Sequence, residues 1–241
     1  MNSTTDTVKR SSVIVKLAVG VSVIGTMVFG TPGIAQRAVK GERNTYTITL
    51  RVYDYSHAGQ KALREAEGEA GRILAQAGVI AHWTDCPTRH ADVERYPGCT
   101  GAASGTEYTL LLLSSSMAAV QEKSPDALGN ASDCENGACI ARVYYDRIEK
   151  LAGGDSVPSY VLAGRVMARE VGQLLIGVTY RSRSGILSAS WTHQQLGLLA
   201  SPEIVFSSTE ANAMKTRLAE REQAAAMRLA QADAHQLKQP R

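Results

Sequence analysis

The sequence predicts an α+β domain: a mixed, twisted sheet of about four strands, one helix backing it, a second helix buried at its centre, and a C-terminal helix. Three patterns lead there. Residues 45–55 alternate apolar and polar, with Tyr46, Ile48, Leu50 and Val52 on one side, the period of a half-buried strand. In residues 62–77, Ala62, Leu63, Ala66, Ala70, Ile73, Leu74 and Ala77 recur at helical spacing against Lys61, Arg64, Glu65, Glu67 and Arg72. Residues 157–176 are almost wholly apolar, with Val161, Leu162, Val166, Met167, Val171, Leu174 and Leu175, so that helix needs cover on every side.

The remaining elements follow in chain order. Gly78 stops the first helix, and residues 79–83 read as a short strand. Residues 84–105 are rich in Pro, Gly, Thr and charge and read as a loop stapled by cysteine. Residues 108–113 form an apolar run of strand length, covered on both faces at Leu110 to Leu113. A second loop, residues 124–137, contains the sequon Asn130-Ala131-Ser132, and residues 140–145 return to strand character. Tyr144, Tyr145 and Asp146 read as strand packing and a turn. Gly177 ends the buried helix, a Ser/Arg-rich loop follows, and Trp191 begins a short segment. From about Ser208 an Ala-rich helix carries Ala211, Met214, Leu218 and Ala225 on its apolar side, a stripe suited to local docking or partial disorder.

The N-terminus is built as an export signal. Lys9, Arg10 and Lys16 precede an uncharged apolar run of 13 residues, 17–29, and small residues stand at the −3 and −1 positions of a cut after Ala35. A bilayer-spanning helix needs roughly 20 residues, so cleavage is expected, and a membrane association only if the segment stays uncleaved. The organisation expected is a signal over residues 1–35, a domain over 36–206, and a helix with tail over 207–241, in a periplasmic or extracellular protein. Loss of the signal lowers the net charge from +3 to about +1, a balance that offers nucleic acid no basic footprint.

Cys86, Cys99, Cys134 and Cys139 are an even set in a chain addressed to an oxidising compartment. Local pairing, Cys86 with Cys99 and Cys134 with Cys139, is the simplest connectivity, and the two other pairings stay open. Their spacings do not suit a four-cysteine zinc site.

The buried helix carries Arg169-Glu170-Val171-Gly172-Gln173-Leu174-Leu175-Ile176-Gly177, and Arg181 then Gly185-Ile186-Leu187 follow. This stretch resembles a broken zinc site of the metzincin type found in secreted bacterial metallopeptidase-like proteins. Their pattern runs H-E-x-G-H-L-L-L-G, then a third histidine, then G-I-M ahead of a tryptophan. Glu170, Gly172, Leu174, Leu175, Gly177, Gly185, Ile186 and Trp191 fit it, and the element order over about residues 45–206 is that of a small metzincin domain. In the intact pattern two histidines at i and i+4 aim at one zinc, while the glutamate between them acts on the metal-bound water.

The three ligand positions hold Arg169, Gln173 and Arg181 instead, and Leu187 replaces the methionine of the turn. A guanidinium is a permanent cation with donors only, and a neutral amide oxygen is a poor zinc ligand. No metal or other cofactor is therefore expected. His57, His82, His90, His193 and His235 are scattered, none four residues from another, with His193 nearest the motif in sequence. Glu170 on an apolar helix needs a counter-charge, which Arg169 or Arg181 can supply. The resemblance and its departures imply an exported pseudoenzyme that binds a peptide or protein partner, or an anionic group beside Arg169, Arg181 and Arg183. Two other functions stay open: an active peptidase or hydrolase using Glu170 as base with a non-standard metal site, in which case zinc is the cofactor, or with none, and a structural exported protein without a ligand. Ser182 and Ser184 lack a positioned base and read as loop serines.

Overall fold

In a computed structural model, β1 (Tyr46–Asp54), α1 (Gln60–Gln76) and β2 (Val79–Cys86) form a parallel β-α-β unit. The structure describes residues 45–101, 105–121, 124, 126–132, 139–153, 157–188 and 201–236. The expected export signal, Cys134, Trp191 and its segment, His193 and the side chain of His235 lie outside them. Ile48, Leu50 and Val52 of β1 are at most 1% exposed, as their alternation requires. Gly78, at φ 83°, supplies the left-handed turn that ends α1 and returns the chain to the sheet.

The sheet continues through β3 (Glu107–Leu113) and β5 (Ile140–Tyr144), both parallel to β1, to β4 (Gly129–Ser132), which pairs antiparallel with β5. Its order is β2-β1-β3-β5-β4. Among the described residues the sheet thus has five strands rather than about four, and four of them run parallel, so the architecture is mixed α/β rather than α+β. The additional strand lies within residues 124–137, read from sequence as loop. Gly-Asn-Ala-Ser has almost no strand propensity, and its pairing with β5 is what makes it a strand. β2 runs on to Cys86 because its register with β1 continues to Tyr53. Two further helices appear, α2 (Ser115–Gln121) and α3 (Tyr145–Ala152), so Tyr145 opens a helix instead of closing a strand. Asp146 accepts a hydrogen bond from the Ser115 amide, 2.7 Å, and so ties the start of α2 to α3.

α1 and α4 (Ser159–Ile176) build the main core with the sheet. They cross at backbone distance: a Cβ on Gly164 of α4 would lie 2.5 Å from the Ala66 carbonyl oxygen of α1. Leu162, Val166, Met167, Val171, Leu174 and Leu175 are buried, while Val161 is only half-buried. Glu67, placed by sequence on the solvent side of α1, is instead buried. A smaller cluster of Leu113, Ala118 and Tyr144 packs under α2.

The C-terminal helix α5 (Ser208–Gln236) docks through Met214 and Leu218, both fully buried. Arg221 donates to the Tyr108 hydroxyl and, at 3.1 Å, to the Leu174 carbonyl near the end of α4. Among the described residues, no helix is long and apolar enough to cross a membrane.

Candidate functional site

α4 sets Glu170 against the edge of the sheet, where its side chain is 3% exposed. Gly129 of β4 makes room for it: a Cβ there would come within 2.8 Å of Glu170 Cγ and 3.0 Å of Val166 Cγ1. A carboxylate so placed is costly to keep ionised unless a cation or donors meet it. Arg169 does so, with Nη1 donating to Glu170 Oε1 at 2.5 Å. The arginine is a quarter exposed, so the pair reaches from the core to the surface.

Gln173 and Arg181 do not join that pair. Gln173 Nε2 donates to the Gly177 carbonyl at 2.6 Å and to the Tyr180 carbonyl at 3.4 Å. Arg181 Nη1 donates to the same Tyr180 carbonyl at 3.1 Å and to that of Val178 at 3.0 Å, with the rest of the side chain exposed. Carbonyls at a helix C-terminus lack intrahelical donors, and these two side chains serve the last turn and the loop beyond it. The three positions thus divide into a buried ion pair and a loop clasp. Arg183 is exposed, and Ser182 and Ser184 bond to each other's loop atoms.

The turn after this loop is held from below. Gly185 has φ 76°, and a Cβ on it would collide with Glu210 Oε2 and lie 2.7 Å from the Ser207 amide. Fully buried, Glu210 accepts from the Leu187 amide at 3.0 Å and the Ser207 amide at 2.7 Å, while Ser207 Oγ accepts from the Glu210 amide at 3.3 Å. This is a capping box at the start of α5, with one carboxylate oxygen extended to the turn. Ile186 and Leu187 are buried above it. Sequence reasoning missed Glu210, although Ser207-Ser208-Thr209-Glu210 carries the Ser-x-x-Glu signature. Gly172 is required for a related reason: a Cβ there would collide with the ring of Phe206.

Arg169, Gln173 and Arg181, the residues that the sequence resemblance sets against zinc ligands, do not fit zinc. A guanidinium has no lone pair to give, and the Gln173 amide nitrogen faces carbonyls. Among the described residues, no three His, Cys, Asp or Glu side chains gather as a cation site, and His57, His82 and His90 are exposed on separate segments.

No protein-family model and no curated protein matches the chain. Among solved structures, the archaemetzincin of Methanopyrus kandleri is similar, at 14% identity and a TM-score of 0.43, covering 75% of this chain and 98% of that one. A likeness of that size assigns neither family nor activity.

Cys86 and Cys99 form a disulfide with Cα atoms 5.7 Å apart. Cys139 is also disulfide-bonded. Asn130 of the sequon donates through Nδ2 to the Tyr144 hydroxyl at 2.8 Å, so its amide is engaged within the fold.

Proposed function

We propose that this chain is an exported protein on a metallopeptidase-like scaffold in which the catalytic centre has become a structural ion pair, and that it binds an extended peptide without cleaving it. The observation that carries this reading is the 2.5 Å pair between Arg169 and the buried Glu170. The glutamate that would act on a metal-bound water is bonded to a cation standing at a ligand position, and the other two positions hold donors turned to backbone carbonyls.

The edge beside Glu170 supports peptide binding. The Tyr144 amide donates to the Leu128 carbonyl at 2.8 Å, and in the β4–β5 register Asn130 lies opposite Arg142 and Ser132 opposite Ile140. Hydrogen-bonded and non-hydrogen-bonded pairs alternate along an antiparallel ladder, so the backbone groups of Gly129 and Ala131 point away from β5. Among the described residues β4 is the last strand of the sheet, and an added peptide strand there gains main-chain bonds next to Glu170.

Metal analysis of the purified protein, combined with cleavage assays on a denatured protein substrate, tests the proposal. The expected result is no stoichiometric zinc and no cleavage. Tightly bound zinc with chelator-sensitive cleavage lost on Glu170→Gln overturns it. Arg169→His, Gln173→His and Arg181→His together are expected to create zinc affinity, since they restore the ligand spacing on α4 and its following loop.

A further inference from the structure

Glu67 is a second buried carboxylate, remote in sequence from the Glu170 pair and only 7% exposed. Two spacings fix its position. The Cβ that Gly71 lacks would lie 3.5 Å from Nε1 of Trp83 on β2, which puts Gly71 against the Trp83 indole. α1 runs against β2, so one turn back along the helix, about 6 Å, matches two residues forward along the strand, about 6.6 Å. Glu67 therefore lies toward the Asp85 end of β2, where Asp85 is its carboxyl neighbour. Asp85 faces α1, because its partner across the sheet is Val52, which is buried beneath the helices.

The two carboxyl groups are within hydrogen-bonding reach, yet Glu67 Oε1 has no donor among the described residues. Ionised carboxylates are acceptors only, so one of the pair must carry a proton for the contact to hold. Arg64, a turn away on α1, is the cation that opposes this. On α4, packed against the other side of α1, Arg165 is committed to Glu69 at 3.1 Å. Burial first, and then Asp85, push the Glu67 carboxyl up to about 8.

We propose that Glu67 forms a proton-linked latch with Asp85 between α1 and the end of β2, closed while the buried Glu67 carboxyl holds its proton and released when it ionises. Asp85 precedes Cys86, whose disulfide to Cys99 staples the following segment to this strand end. Release loosens the last β1–β2 pairs, Val52 with Asp85 and Tyr53 with Cys86, and with them the anchor of the stapled segment.

Trp83 reports on the latch directly. In the full chain carrying Trp191→Phe, Trp83 is the single tryptophan, and its emission is followed from about pH 5 to about pH 10. One transition is expected, with its midpoint near the value of about 8. Glu67→Gln removes it, because a neutral amide keeps a donor toward Asp85 at every pH. Asp85→Asn, a change at a surface position, moves the midpoint down by about one pH unit or more and keeps the test intact if the Glu67 variant does not fold. No transition near pH 8, or a midpoint that Asp85→Asn leaves in place, overturns the latch.

Discussion

Replacing Arg169 with methionine removes the cation from Glu170 while keeping an unbranched side chain of similar length. Glu170 is 3% exposed, so the variant leaves a carboxylate in the core without the partner it holds at 2.5 Å. Breaking a buried pair from one side costs about 3–5 kcal/mol. Arg169 is a quarter exposed and water reaches its end of the pair, which places the expectation at the low end, about 3 kcal/mol. For a domain of this size that is a fall of about 9 °C in Tm. Urea unfolding at neutral pH measures it as a lower midpoint with an unchanged slope. Adding Glu170→Gln to Arg169→Met removes the stranded charge, so the double variant is expected to regain at least half of the loss. The cycle isolates the pair from the other contacts of each residue. A single-variant loss below about 0.5 kcal/mol, the range of a surface ion pair, or strict additivity in the cycle, refutes the structural ion pair.

Three further outcomes are expected. Between 4.5, the ordinary value for Glu67, and about 8, the folded chain holds a proton that the unfolded chain has released, so stability is full below that window and falls as pH rises through it. Urea midpoints measured across the window should drop, with Glu67→Gln flattening the profile. Glu210→Ala removes two acceptor bonds, one of them the carboxylate's half of the capping box, and should cost about 2 kcal/mol, with amide exchange at Leu187 accelerating more than in the β1 core. Mature protein recovered from an exporting host should begin at Gln36 when sequenced from its N-terminus, and an intact Met1 in the exported fraction contradicts the cleaved signal.

The long apolar elements were legible because their burial is written in period and composition. β1, α1 with its stop at Gly78, and α4 stand where alternation, helical spacing and near-continuous apolarity put them. The local Cys86–Cys99 pairing was legible from the even cysteine count and the short spacing. β4 was not, since Gly129 to Ser132 carry neither β-branched nor aromatic residues and become a strand only through register with β5. Glu67 also misled: on a helical wheel a glutamate reads as solvent-facing, and only the tertiary packing buries it beside Asp85. Gln173 and Arg181 could not be assigned from spacing, because their partners are backbone carbonyls whose directions depend on how α4 ends at Gly177.

By itself the sequence determined that a glutamate would lie on a buried helix with one arginine directly before it and another in the loop beyond, because residue identity and helical period decide both. Only the tertiary structure decided which arginine meets it. Neighbours in sequence ordinarily point to different sides of a helix. Packing β4 against α4 at Gly129 buries Glu170, and the cost of an uncompensated charge there draws Arg169 back across the helix, while Arg181 is satisfied by its own loop.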